Sequence, residues 1–299
     1  MHLSVKLLVA TLLTGGAVLG TAAIASADPG YVGKTAAKPA AAAAVKSYHN
    51  RFGKNTNGWC DGNGGFAPCD GAAGDSGTIV RSHSGSSTNA YAPRIAAATG
   101  RWYATVDGAT DGTSICSTYP AQDESCDGPY TDWGNPNFNY YAFPKRGFST
   151  AVDIYLDATW GAANPGVEFE WDTAVNQSNG QFGQDFIFTA QTGTSGFAIG
   201  VGNNTRSSVP TPSVTIDASG WYRFIHTFAV NPSTGDVEAT MSIVDVATAT
   251  QVPGASWVLP VMFNGSPEPA SSVGGPVYGW FPNENIPELP IDNSAVRKG

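Results

Sequence analysis

Along most of the chain, hydrophobic and polar residues alternate with a period of two, the repeat that sends successive side chains to opposite faces of a β-strand. "FSTAVDIYLD" sets Phe148, Val152, Ile154 and Leu156 on one face, with Asp153, Tyr155 and Asp157 opposite. "WYRFIHTFAV" groups Tyr222, Phe224, Phe228 and Val230, and "VEATMSIVD" groups Val237, Met241 and Ile243. The turn signal "NPSTGD" lies between these two, so they are read as a hairpin. Further strands are expected at 77–82, 100–106, 184–191, 195–202, 212–217, 255–259, 276–281 and 288–293. Beyond the leader described below, no segment has helical periodicity except isolated turns. Many short strands divided by turn signals predict an all-β protein, a two-sheet antiparallel β-sandwich.

The N-terminus breaks this pattern. "MHLSVK" followed by "LLVATLLTGGAVLGTAAIA" and ending in "ASA" before Asp28 reads as a signal peptide over 1–27. Residues 28–46, rich in Ala, Pro and Lys, read as a tether, and 47–299 as the sandwich domain with long loop insertions at 53–76 and 107–147. The expected location is therefore secreted and extracellular. No second apolar run approaches the ~20 residues that cross a bilayer, so no membrane span is expected.

Charge narrows the partners. The whole chain has 15 Lys+Arg against 24 Asp+Glu; losing Lys6 with the leader leaves 14 against 24, a formal −10. Such an acidic balance argues against nucleic acid and anionic membranes, which need a basic surface to displace counterions. The four cysteines, Cys60, Cys69, Cys116 and Cys126, allow three connectivities. Export and short separations favour disulfides 60–69 and 116–126. There is no Cys-x-x-Cys and the histidines are scattered, which argues against zinc.

"FSTAVDIYLD", "FEWDTAVN", "QDFIFTA", "ASGWYRFIHTF", "VEATMSIVD" and "VGGPVYGWFPNENIPELPIDNS" together resemble a family of secreted bacterial proteins, with "TDWGNPNFNYYAFP" similar to its upstream loop. Its members are jelly-roll domains of the concanavalin A-like, laminin-G-like type. The resemblance spans roughly 50–293 and implies that fold; it rests on strand pattern and names no activity. The disulfide-bearing insertions and the alanine-rich tether depart from the family's core.

Candidate chemistry begins with "VEFEWD". Val167, Phe169 and Trp171 alternate with Glu168, Glu170 and Asp172, placing three carboxyls on one strand face. The spacing is similar to the Glu-x-Asp-x-Glu of concanavalin A-like glucanases, whose outer glutamates serve as nucleophile and acid/base, but departs at the middle and last positions. A solvated or ligand-contacting face is the simpler expectation. "GDSGT" at 74–78 lacks the His and Asp context of a serine protease and reads as a turn. "CDGNGG" at 60–65 lacks the fifth and twelfth ligands of a helix–loop–helix calcium loop, since Gly65 and Ala72 stand there. A non-standard calcium site in sandwich loops stays open, and the metal is otherwise unknown. His226, in line with Phe224 and Phe228, is expected in the core.

Loop aromatics beside amides are the natural sugar-binding set, because rings stack on C–H faces while Asn and acids take hydroxyls. Trp133, Tyr140, Tyr141, Trp280, Asn283 and Glu284 are the candidate ligand-binding residues, against a plainer role covering the sandwich edge. The expected function is a binding or interaction module for a carbohydrate or cell-envelope polymer. A glycoside hydrolase or lyase using the 167–172 acids, and a structural surface protein without a small ligand, are the alternatives. No catalytic residue and no cofactor other than calcium is expected, and the oligomeric state is open.

Overall fold

The computed structural model describes residues 45–60, 77–86, 91–110, 114–115, 128–135, 140–204 and 213–299. The first strands are short: β1 (Tyr48–Asn50), β2 (Trp59–Cys60), β3 (Thr78–His83), β4 (Trp102–Asp107), β5 (Ala109–Thr110), β6 (Ser114–Ile115) and β7 (Tyr130–Thr131). Long alternating strands follow: β8 (Phe148–Leu156), β9 (Glu168–Gln177), β10 (Phe182–Gly193), β11 (Gly196–Asn203), β12 (Val214–Ile216), β13 (Gly220–Val230) and β14 (Val237–Asp245). The chain closes with β15 (Thr250–Pro260), β16 (Met262–Phe263), β17 (Ser266–Pro267), β18 (Val273–Trp280) and β19 (Leu289–Lys298).

Two antiparallel sheets form the expected jelly-roll sandwich. One is eight-stranded, ordered β15-β14-β13-β8-β19-β4-β3 with β1 on β19; the other is seven-stranded, ordered β12-β11-β10-β9-β18-β7-β2. The hairpin across "NPSTGD" is present, with Val230 opposite Val237. Val230 itself is 37% exposed, outside the expected apolar group, because it sits at the turn where β13 leaves the core. One short helix, α1 (Ala158–Ala163), interrupts the strands; its cap is Asp157, whose Oδ1 accepts from the amides of Thr159 and Trp160, both at 3.0 Å.

The core is aromatic and lies between the sheets. Phe188 meets Phe224 edge-on at 5.2 Å, and Phe186 meets Phe228 at 5.2 Å. In their midst is His226, fully buried as expected. Its Nε2 lies 2.8 Å from the carbonyl oxygen of Phe186, which can only accept, so this nitrogen carries the proton. Nδ1 then accepts from one of the hydroxyls of Thr173 (3.1 Å) and Thr150 (3.3 Å), and the other hydroxyl donates to the first across 2.8 Å. Thr150 and His226 belong to one sheet, Thr173 and Phe186 to the other. Burial pushes the imidazole pKa down to about 3, so the ring is neutral at any ordinary pH.

Candidate functional site

The site grows from the alternation in β9. Phe169 and Trp171 turn inward and are fully buried among core rings. Glu168, Glu170 and Asp172 therefore share the outer face of the seven-stranded sheet. Antiparallel pairing with β10 sets Gln191 opposite Glu168, Thr189 opposite Glu170, Ile187 opposite Asp172 and Asp185 opposite Ala174. Directly opposed residues share a face, so a fourth carboxyl joins the three. On the other side, β18 places Trp280 opposite Asp172. The next strand outward, β11, contributes only Ala198, Gly200 and Gly202 opposite Gln191, Thr189 and Ile187, so the face is shallow there.

Contrary to expectation, this face is not a solvated one. Glu170 and Asp172 are fully buried, and only Glu168 is half-buried. Alternation assigns a side chain to a face; it does not decide whether water reaches that face. Each acid has its own partners. Glu170 accepts from the Thr189 hydroxyl at 3.0 Å. Asp172 Oδ1 accepts from the Phe186 amide at 2.9 Å, while Asp185 accepts from the Tyr278 hydroxyl at 3.2 Å. Burial first, and then the charge of Asp185 and a hydrogen bond with it, hold the Asp172 carboxyl well above the usual range.

Glu168 lies at the accessible end. Residues 283–285 run against the start of β9: the Glu170 amide donates to Asn283 O (2.7 Å) and the Asn285 amide to Glu168 O (3.1 Å). This pairing delivers Asn283 Nδ2 to Glu168 Oε1 at 2.6 Å, while Gln191 Nε2 donates to Oε2 at 3.3 Å. Partial burial raises the Glu168 pKa, and the two amide donors oppose the rise. A carboxylate gripped by two half-exposed amides offers hydrogen bonds in a fixed direction. It is poorly placed as half of a catalytic pair: backbones four residues apart on a strand are ~13 Å apart, and a retaining pair needs its carboxyls about 5–5.5 Å apart. Here Glu168 and Asp172 are held by different partners.

The structure separates the six expected ligand-binding residues. Asn283 and Trp280 come to this face, Trp280 with its Nε1 bonded to Gly128 O at 3.1 Å and its ring buried. Trp133 and Tyr140 are 2% and 1% exposed, and so present no stacking surface. Trp133 packs edge-on to Trp171 at 6.0 Å, and both rings rest on Gly279, where a Cβ would come within 2.5 Å of Trp133. Burial pushes the Tyr140 hydroxyl up to about 12. Tyr141 is partly exposed and its ring covers Gly180, a left-handed turn residue (φ 87°) with no room for a Cβ. Glu284 is fully buried; its Oε1 accepts from the Ile286 amide at 2.7 Å, and burial holds its pKa well above normal. Sequence reasoning missed Gln191, Asp185 and Tyr278. The signal was the alternation of "QDFIFTAQ", which puts Asp185, Thr189 and Gln191 on one face.

Other expected features fall partly outside the described residues. Cys60 is buried at the end of β2, while Cys69, Cys116 and Cys126, with most of "CDGNGG" and "GDSGT", lie outside them. Among the described residues, no group of three or more His, Cys, Asp or Glu is arranged to hold a metal ion, and no helix is long and apolar enough to cross a membrane.

No family model matches the chain, and no curated protein does. Among solved structures it is similar to an endo-1,3-β-glucanase from Streptomyces sioyaensis, at 10% identity and a TM-score of 0.30, over 88% of this chain and 99% of that one.

Proposed function

We propose that the protein is a secreted carbohydrate-binding β-sandwich, of the bacterial jelly-roll kind its strand segments resemble. Its ligand lies across the outer face of the seven-stranded sheet at Glu168. The observation that carries this reading is the Gln191–Glu168–Asn283 arrangement, a carboxylate between two amides. Carboxylate and amide groups fixed in this way bind vicinal hydroxyls, and the small side chains of β11 leave the neighbouring surface open to a sugar ring. Recognition here is by polar contacts, since Trp133, Tyr140 and Trp280 are used in packing.

The separate partners of Glu168, Glu170 and Asp172 favour binding over hydrolysis. Affinity electrophoresis in gels of mixed-linkage glucan, laminarin and xylan tests both. The expected result is retardation by at least one polymer, reduced about tenfold in affinity by Asn283→Ala or Gln191→Ala, with no reducing sugar released. A protein that none of the three polymers retards would sink the binding reading. Sugar release abolished by both Glu168→Gln and Asp172→Asn would replace it with a hydrolase.

A further inference from the structure

The chain is strongly acidic, yet its cations gather at one edge. In the β1–β19 pair His49 lies opposite Ala295, and opposed residues share a face. Arg51, two residues beyond His49, and Arg297, two beyond Ala295, therefore stand on the same outward face of the eight-stranded sheet. All three are exposed, as is Lys54 in the following loop. Their proximity is visible in His49, whose pKa is lowered by partial burial and then by the positive charge of Arg51, Arg297 and Arg223.

Two recesses open here. One, of about 400 Å³, is lined by His49, Arg51 and Lys54 with Asn50, Asn55 and Asn57. The other, of about 460 Å³, is lined by Lys145, Arg146 and Lys298 with Phe143 and Pro144. Neither lining includes an Asp or Glu. The β1 segment joins them: Val45, just before it, lines the second recess, and Tyr48, His49 and Asn50 line the first.

The frame beneath the first recess is fixed. Asn50 Oδ1 accepts from the Phe52 amide (2.7 Å), and its Nδ2 donates to Asn55 O and Asn57 O, both at 3.1 Å. The Tyr48 hydroxyl donates to Asn57 O at 2.7 Å, and Arg81 holds Phe52 O and Gly53 O, each at 2.8 Å. Arg51 and Lys54 are thereby presented without a loop having to order on binding. Like charges held together repel, and a ligand that brings negative charge relieves the repulsion.

We propose that this end of the eight-stranded sheet docks a linear polyanionic polysaccharide, whose repeated phosphate or carboxylate groups occupy the two cationic recesses in succession. A chain polymer fits better than a single small anion because the cations line two recesses, one at each end of β1. The site lies on the opposite sheet from Glu168, so the two ligand surfaces stand or fall separately.

The test uses the purified protein in a titration against dextran phosphate, polygalacturonate, dextran and single-stranded DNA at 50 and 300 mM NaCl. Affinity for at least one of the two acidic polymers is expected to fall tenfold or more with salt, with no measurable affinity for dextran. Whichever acidic polymer binds names the anion. Arg51→Ala with Arg297→Ala should weaken binding at least tenfold, while Arg51→Lys with Arg297→Lys keeps it within about threefold. Should the alanine pair fail to fold, Lys54→Glu with Lys145→Glu gives the same loss by charge reversal. Absence of binding to both acidic polymers, indifference to salt, or full affinity in the charge-reversed variant overturns the proposal. DNA bound as tightly as the polysaccharides overturns the choice of ligand. Retention on neutral glucan through Glu168 is unchanged by any of these variants.

Discussion

The two outward faces of this sandwich come from the same alternating code, yet they treat buried acid in opposite ways. On the eight-stranded sheet, fully buried Asp153 receives both nitrogens of Arg223 (2.6 and 2.9 Å) and Nδ2 of Asn293 (2.6 Å). It forms the one ion pair among the described residues. On the seven-stranded sheet, Asp172 is buried as deeply, and its partners are a backbone amide and a second carboxyl. The first arrangement is completed by a guanidinium. The second needs a proton. Asp292, directly opposite Asp153 on the first face, is itself raised to about 7, so both faces lose stability as pH rises.

The largest expected effect breaks the first arrangement. Arg223→Met leaves Asp153 buried with only Asn293, and removal of one partner from a buried pair costs about 3–5 kcal/mol. Urea titration at pH 6 should show the midpoint fall accordingly, and an unchanged midpoint would mean that Asn293 alone suffices.

A nearly equal effect comes from pH. Among the described residues, burial raises the carboxyls of Asp107, Asp132, Glu168, Asp172, Glu284 and Asp292, and Asp292 reaches about 7. A carboxyl whose folded pKa exceeds its unfolded value near 4 contributes stability that is complete below pH 4 and lost as pH rises through the folded value. Asp292 alone accounts for on the order of 4 kcal/mol across pH 4–7. The unfolding free energy should therefore be greater at pH 6.5 than at pH 8; below pH 6.5 the buried neutral His226, held at about 3, opposes the trend. A protein more stable at pH 8 would contradict the buried, protonated state of these acids.

A smaller effect sharpens the contrast. In Asp172→Asn, the amide oxygen keeps the bond from Phe186 and the new N–H donates to Asp185, supplying permanently the proton that a bond between two carboxyls requires. The variant should gain about 1 kcal/mol at pH 8, the size of one neutral hydrogen bond, and little at pH 5. Equal gain at both pH values would show that no proton is shared. The smallest change is Glu168→Gln, at the accessible end: stability should move by less than about 1 kcal/mol, while affinity for a neutral glucan falls. Large destabilisation would recast Glu168 as a structural group.

Period-two alternation made the fold legible, because it survives in β8, β13 and β14 and because His226 keeps step with Phe224 and Phe228. The cover over each face was not legible. Glu170 and Asp172 look, in sequence, like any wet strand face, and only contacts remote along the chain bury them. Trp133 and Tyr140 sit in a run of Gly, Asn and Pro that reads as surface loop, yet they fill the space left by a glycine-rich strand. A Cβ at Gly275 would come within 2.8 Å of Tyr140, and one at Gly279 within 2.5 Å of Trp133. "VGGPVYGW" was the available clue, since a strand that gives up its side chains requires large ones from elsewhere.

The Thr150–His226–Thr173 group in the middle of the core has a mechanical meaning. Contacts between aromatic and aliphatic side chains have no strong direction, so two greasy sheets can creep over one another by small steps. Hydrogen bonds aimed across the gap act as a dowel. Sliding by even one residue pair would strand a neutral imidazole and two hydroxyls in a dry interior, where each lost bond carries its full desolvation cost. Under shear the sandwich should therefore hold its alignment until it yields all at once, whereas a purely apolar core would give way gradually.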